Sequence, residues 1–120
     1  MRTDLLWVAV PVLVLLSFRT WTADTLVHAA GGDARKGKAV YEKSCVLCHG
    51  PQGRGDGPVG KTLNPSAADF TSAASKKKTD AELLATIENG RPPTAMVGWK
   101  GQLSEAEIQD VLAYVKSLRQ

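Results

Sequence analysis

The stretch Cys45-Val46-Leu47-Cys48-His49 decides the fold of this chain. Its two cysteines are the only ones among 120 residues, and a histidine follows the second one directly. This spacing is typical of a c-type haem attachment site. In that interpretation both thiols bond the vinyl groups of one haem, and the imidazole of His49 supplies an axial nitrogen to its iron.

Three other interpretations of the motif fit the sequence less well. A structural zinc site needs four nitrogen or sulfur ligands, but only Cys45, Cys48 and His49 cluster, and the one other histidine is His28. A thioredoxin-like dithiol belongs to a βαβ unit, whereas a glycine-rich loop follows this motif. A disulfide between residues three apart is strained and closes almost no loop. The sequence therefore favours covalent haem as the cofactor.

Length and charge limit the class of protein. Residues 30–120 make one small domain, and so short a chain buries too little surface to be stable without a disulfide, a metal or a cofactor. A covalent haem would supply that additional stabilisation. The net charge is only +3, and the sequence has no concentrated stripe of basic residues such as nucleic-acid binding requires. The run Lys76-Lys77-Lys78 is either a solvated loop or part of a docking face for an acidic partner.

The N-terminal residues 1–29 contain an export signal. The uncharged run from Leu5 to Leu16 suits the apolar region of a signal peptide, since a membrane span needs about 20 apolar residues. Small residues at Val27 and Ala29 favour cleavage before Ala30. Because the stretch from Arg19 to the cut is long, residues 5–23 could instead persist as an anchor. Either alternative places the domain at 30–120 in the periplasm.

Helical periodicity and caps predict an all-α fold with three main helices and long loops around the haem. The expected helices are Ala34 to Cys45 behind the N-cap Asp33, a second from the capping box Thr79/Glu82 to Asn89-Gly90, and a third from the box Ser104/Glu107 through Leu118. Gly37 in the first helix indicates either close approach of another helix or a tolerated surface glycine. The glycine-rich residues 50–60 lack the lysine of a phosphate loop and are expected to wrap the proximal face of the haem.

Met96 is the candidate for the second axial ligand. It lies in a loop, residues 94–102, and is the only methionine besides Met1. A thioether stabilises ferrous iron and raises the reduction potential; the alternative is that Met96 merely fills a gap in the core. With both axial positions taken by protein, the iron has no open site, which favours an electron carrier over a catalyst.

From Gly32 to Leu118 the chain resembles a class I, single-haem bacterial cytochrome c. The resemblance rests on Gly37 and Tyr41 in the first helix, Val111 and Tyr114 in the last, the loop from Gly55-Asp56-Gly57-Pro58 through Pro65 to Phe70, and Met96 three residues before Trp99. It implies thioether bonds at Cys45 and Cys48 and axial ligation by His49 and Met96. It also implies that the indole of Trp99 donates to a haem propionate and that the Pro58 carbonyl accepts from His49. Many members have proline after the ligand methionine, where this chain has Val97.

Three functions follow as hypotheses. The favoured one is a periplasmic single-electron carrier whose partners are a membrane oxidoreductase, a terminal oxidase or a periplasmic dehydrogenase. The alternative is an electron-entry subunit of a respiratory or dehydrogenase complex, held to the membrane through residues 5–23. The third is a haem enzyme or gas sensor in which Met96 is displaced. Exposed lysines are expected to ring the docking face: Lys61, Lys76, Lys77 and Lys100.

Overall fold

The computed structural model describes residues 31–120, so the leader or anchor predicted for residues 1–29 lies outside the described part. The helices are α1 (Ala34–Ser44), α2 (Val46–His49), α3 (Ala73–Lys76), α4 (Asp80–Asn89) and α5 (Glu105–Leu118), with a 3-10 turn at Gly60–Thr62. Within this range the chain forms isolated bridges, Gly90 with Val97 and Lys100 with Leu103, and no strands. The all-α fold is confirmed.

Caps set the boundaries of the long helices as the sequence predicted. The Asp33 carboxylate accepts from the Arg35 N–H at 2.9 Å, which satisfies one of the unpaired donors of the first turn. Reciprocal capping boxes begin α4 at Thr79/Glu82 and α5 at Ser104/Glu107. α1 ends one residue earlier than expected, because Cys45 leaves helical geometry and its N–H caps the Tyr41 carbonyl.

The first and last helices cross at the centre of the core. A Cβ on Gly37 would lie 1.9 Å from the Asp110 carbonyl oxygen, so α1 and α5 touch backbone to backbone at this point. The predicted close approach is confirmed. Tyr41 and Val111, both almost fully buried, flank the crossing, and the Tyr41 ring meets Tyr114 edge-on at 5.1 Å.

The chain before α4 is more ordered than the sequence predicted. Residues 73–76 form α3, whose N-cap Ser72 accepts from the Ser75 N–H, so Lys76 belongs to a helix rather than a loop. The Arg119 guanidinium, beyond α5, donates to the carbonyls of Ser75 and Lys78 and holds this turn. Of the helices within residues 31–120, none combines the length and the apolarity that crossing a bilayer requires.

Candidate haem site

The Cys-X-X-Cys-His motif forms a helical turn that continues α1 after a bend. Cys45 has a non-helical backbone between α1 and α2, and the His49 N–H donates to its carbonyl at 2.9 Å. Both thiols are free and half-buried. Burial, together with the smaller effect of the nearby Cys48, raises the pKa of the Cys45 thiol to about 11. Because nucleophilic thiol chemistry needs a thiolate, this environment does not suit a thioredoxin-like dithiol.

His49 is held by contacts on its ring. Its Nδ1 lies 3.1 Å from the Ala68 carbonyl oxygen, and its face stacks on Phe70, with ring centroids 4.6 Å apart. Burial lowers the pKa of His49, while the hydrogen bond to Ala68 partly opposes this shift. A carbonyl can only accept, so Nδ1 carries the proton of the neutral ring and Nε2 keeps its lone pair for a metal.

The resemblance assigned the acceptor for His49 to Pro58, and the structure corrects this assignment. The acceptor is the Ala68 carbonyl, ten residues further along, and Pro58 is exposed. The reason lies in how the glycine-rich loop folds. A Cβ on Gly57 would lie 2.3 Å from the Leu47 carbonyl oxygen, so the loop at 57 packs on the backbone of α2 instead of on the imidazole.

The glycine-rich loop holds α2 and then guides the chain to His49. The Gly57 N–H donates to the Cys48 carbonyl at 3.2 Å, and the Gly55 N–H donates to that of His49 at 2.8 Å. A Cβ on Gly60 would meet the Cys48 carbonyl oxygen at 1.9 Å. Glycine is therefore required at 60 for this close approach, and the loop packs on the backbone of the motif. That the loop wraps the proximal face of the haem stays a prediction.

Met96 is carried by a tight turn after α4. Its carbonyl accepts from the Arg91 N–H at 3.0 Å, next to the bridge between Gly90 and Val97. Gly90 has a φ of 71°, and a Cβ there would lie 2.4 Å from the Met96 carbonyl oxygen. Only glycine combines that backbone conformation with such an approach. The turn is therefore fixed against the end of α4.

Trp99 follows in the same loop and is fixed by its backbone. Its N–H donates to the Ile87 carbonyl at 2.9 Å, and the next N–H, of Lys100, donates to Glu88 at 3.1 Å. These bonds attach the loop to the last turn of α4 and leave the indole half-buried.

One apolar cavity brings most of the predicted site residues together. Cys45, His49, Met96 and Trp99 all line it, whereas Cys48 and Pro58 do not. The rest of its wall comes from the core: Tyr41, Phe70, Ile87, Leu103, Val111 and Val115. A wider groove between α4 and α5, lined by Leu84 and Lys116 among others, holds none of the candidate ligands.

The residues present fit a haem. The cavity wall offers an imidazole nitrogen, a thioether sulfur and a thiol, and it carries no carboxylate or ammonium group. Soft sulfur and imidazole donors with an apolar surround suit haem iron. In the part of the chain that the structure describes, no three His, Cys, Asp or Glu side chains converge as a closed zinc site would need.

The sequence did not identify every residue of the site. Ala68 acts through its backbone carbonyl, which leaves no trace in the amino-acid type. Leu103 lines the cavity just before the cap of α5 and had no periodic signal. Phe70 ends the loop on which the resemblance rests, but its contact with His49 was not predicted.

Comparison with known proteins agrees with this geometry. Residues 32–115 match the family model described as Cytochrome C oxidase, cbb3-type, subunit III. Cytochrome c6 of Synechocystis is 33% identical over 112 residues, which cover 90% of this chain and 82% of that protein. The cbb3-type oxidase subunit FixP of Bradyrhizobium diazoefficiens is 35% identical over 89 residues, and the match covers 73% of this chain but only 28% of FixP.

A further relative and a solved structure extend the comparison. The dihydro-heme d1 dehydrogenase of Pseudomonas aeruginosa is 36% identical over 72% of this chain and 16% of the enzyme. In the reducing HAO-like protein complex of Kuenenia stuttgartiensis, one chain superposes with a TM-score of 0.63 at 31% identity, over 72% of this chain and 42% of that one. The family implies one covalently bound haem c and electron transfer. This chain belongs to the cbb3-type subunit III family of cytochrome c domains and is a single-haem class I c-type cytochrome.

Proposed function

We propose that the chain is a periplasmic single-electron carrier whose haem c is bonded through Cys45 and Cys48 and ligated by His49 and Met96. The observation that carries this proposal is that His49, Met96 and Cys45 line the same apolar cavity. When bound, the haem takes up and gives back one electron at a potential set by its ligands and surroundings.

Each residue has a defined task in this proposal. The Ala68 carbonyl keeps the proton of His49 on Nδ1, so that Nε2 is the ligand atom. Met96 supplies a thioether that stabilises ferrous iron, and its turn is held at Gly90 so that the ligand is not easily lost. The indole of Trp99 is available as a donor to a propionate.

The proposal of a carrier rather than an enzyme rests on the two ligands. If His49 and Met96 fill both axial positions, no position remains for substrate, although one relative is a dehydrogenase. The match to that enzyme covers 16% of its length. Its activity is therefore no guide to the activity of this chain.

The test replaces Met96 with alanine in the haem-loaded protein. Wild-type ferric protein should show the weak far-red sulfur-to-iron charge-transfer band, and ferrous protein should not bind carbon monoxide. Met96→Ala should lose the band, lower the reduction potential and gain carbon monoxide binding, because the sixth position opens. Val97→Ala is the matched control, since Val97 is exposed in the same turn. Unchanged spectra in Met96→Ala would refute the ligation, and carbon monoxide binding by the wild type would favour the enzyme or sensor.

A membrane-tethered subunit is the second candidate. The similarity to FixP, together with the apolar run within residues 5–23, favours it. The mass of the mature protein decides between the two candidates. A carrier recovered in the periplasmic fraction should begin at Ala30, whereas a subunit should keep residues 5–23 and stay with the membranes.

The proposed partners are redox proteins with an acidic docking face. The lysines proposed for contact, Lys61, Lys76, Lys77 and Lys100, are all exposed. Charge attraction of this kind is screened by salt over about 10 Å at 0.1 M. The rate of electron transfer to the partner should fall as salt rises above about 0.1 M. A rate independent of salt would point to an apolar or tethered contact.

A further inference from the structure

The imidazole of His49 is touched in two ways by one short segment. The carbonyl of Ala68 accepts from Nδ1 at 3.1 Å, and two residues later the ring of Phe70 stacks on the imidazole face. The centroids are 4.6 Å apart and the planes differ by 20°. Such a separation and angle are those of an attractive stacked pair. The segment therefore holds both an edge and a face of the same ring.

The segment is itself held by the glycine-rich loop. The Phe70 N–H donates to the Gly53 carbonyl at 2.7 Å. A Cβ on Gly53 would lie 2.6 Å from Cδ2 of Phe70, and a Cβ on Gly55 would lie 2.3 Å from the Ala67 carbonyl oxygen. Backbone contact this close leaves the phenyl ring little room to move away from His49.

The chain directly after Phe70 is also fixed. The Asp69 carboxylate accepts from both the N–H and the hydroxyl of Thr71, at 2.8 and 2.7 Å, and the Asp69 carbonyl accepts from the Ser72 hydroxyl at 2.8 Å. The backbone of Phe70 is therefore fixed twice, by its hydrogen bond to the Gly53 carbonyl and by the hydrogen-bonded turn from Asp69 to Ser72. Its ring also packs on the core formed by Tyr41, Val111 and Val115.

The two contacts restrict different motions of the imidazole. A hydrogen bond at Nδ1 fixes the position of that atom and the tautomer, but the ring can still tilt about the line through Nδ1 and its acceptor. A flat ring against the imidazole face opposes that tilt. We propose that Phe70 is a positioning residue that, together with the Ala68 carbonyl, sets the plane of the His49 ring and hence its rotation about its bond to iron. This proposal rests on the proposed ligation by His49.

The test compares Phe70→Leu with wild-type haem protein. Leucine keeps an apolar side chain but removes the stack. In the ferric protein, the electron paramagnetic resonance g-values and the haem methyl shifts report the ligand plane, and both should shift and broaden. In the ferrous protein, exchange of the Nδ1 proton of His49 with solvent should become roughly two- to tenfold faster, the range expected for losing one stacked aromatic pair.

Matched variants separate positioning from packing. Phe70→Tyr keeps the flat ring and should restore wild-type g-values and exchange. Leu84→Ala removes a half-buried apolar side chain from the groove between α4 and α5, which holds none of the candidate ligands, and should leave the His49 signals unchanged. Wild-type signals in Phe70→Leu would overturn the proposal, and so would equal changes in Leu84→Ala.

Two further measurements keep the outcome decisive. If Phe70→Leu is not loaded with haem, Phe70→Ile takes its place, because isoleucine fills a similar volume without a ring face or a ligand atom. The same results then count for and against the proposal. The sulfur-to-iron band is recorded for every variant. Its absence in the wild type would refute the His49/Met96 pair, whereas its presence with unshifted g-values in Phe70→Leu would refute only the role of Phe70.

Discussion

Gly37→Ala tests the contact on which the fold depends. An alanine Cβ would lie 1.9 Å from the Asp110 carbonyl oxygen, whereas ordinary contact begins near 3.4 Å. α1 and α5 must therefore separate by about 1.5 Å, the difference between these two distances. The obstacle is backbone, which cannot rotate away as a side chain would. The gap would open beside Tyr41 and Val111, the most deeply buried side chains of the core.

Two opposing effects decide the sign of this change. Alanine gains about 1 kcal/mol over glycine in helix propensity. Overpacking that shifts backbone costs about 1–3 kcal/mol and occasionally more, and here it also loosens the Tyr41 and Val111 packing. We expect a net loss of about 2 kcal/mol, which lowers the melting temperature by about 8–16 °C in a domain of this size.

The assay is thermal unfolding of the haem-loaded protein followed by circular dichroism. Ala39→Gly is the control, because Ala39 is exposed on the same helix and reports the propensity effect alone, about 1 kcal/mol. If Gly37→Ala melts at or above the wild-type temperature, the helices can separate freely and the close approach is not a constraint.

Two other changes test the surroundings of the motif. Tyr41→Phe removes the hydroxyl that donates to the Gly50 carbonyl at 2.6 Å and leaves that buried acceptor unpaired, which should cost about 1–3 kcal/mol; an unchanged melting temperature would contradict this. The hydrogen bond from the Ser104 N–H lowers the pKa of Glu107 below its usual 4.5. The Glu107 carboxylate therefore stabilises the fold at pH values above 4.5. This stabilisation is lost as the pH falls through the lowered pKa of the folded protein. Glu107→Gln should make acid unfolding less steep in a pH titration, and an identical acid transition would show that the box contributes nothing.

The sequence predicted the elements whose signals are local. The caps at Asp33, Thr79 and Ser104 and the apolar stripe of α5 each lie within one helix, so neighbouring residues are enough to define the boundaries. α3 has only four residues and no periodicity. Its position depends on Arg119, more than 40 residues away in the chain. A contact at that separation has no local signature.

The same distinction applies to the candidate site. The cysteines and histidine are adjacent in sequence, and Met96 was the remaining methionine, so elimination was enough to nominate them. The acceptor for His49 was misassigned to Pro58, because a backbone carbonyl has no side-chain identity and its direction depends on the path of the whole loop. Gly57 and Gly60 of that loop pack on the backbone of α2. The chain therefore passes α2 first, and its first carbonyl to contact the imidazole is that of Ala68.

The helix crossing and the candidate haem site share residues, so stability and ligand geometry should vary together. Cys45 caps α1, and the hydroxyl of Tyr41, inside the crossing, bonds the carbonyl of Gly50, the residue after His49. A shift of α1 is therefore transmitted to both ends of the motif through backbone contacts. Fast one-electron transfer needs ligands that move little between oxidation states. The backbone contact at Gly37, far from the iron ligands in sequence, therefore serves the proposed carrier by keeping the His49 end of the site rigid.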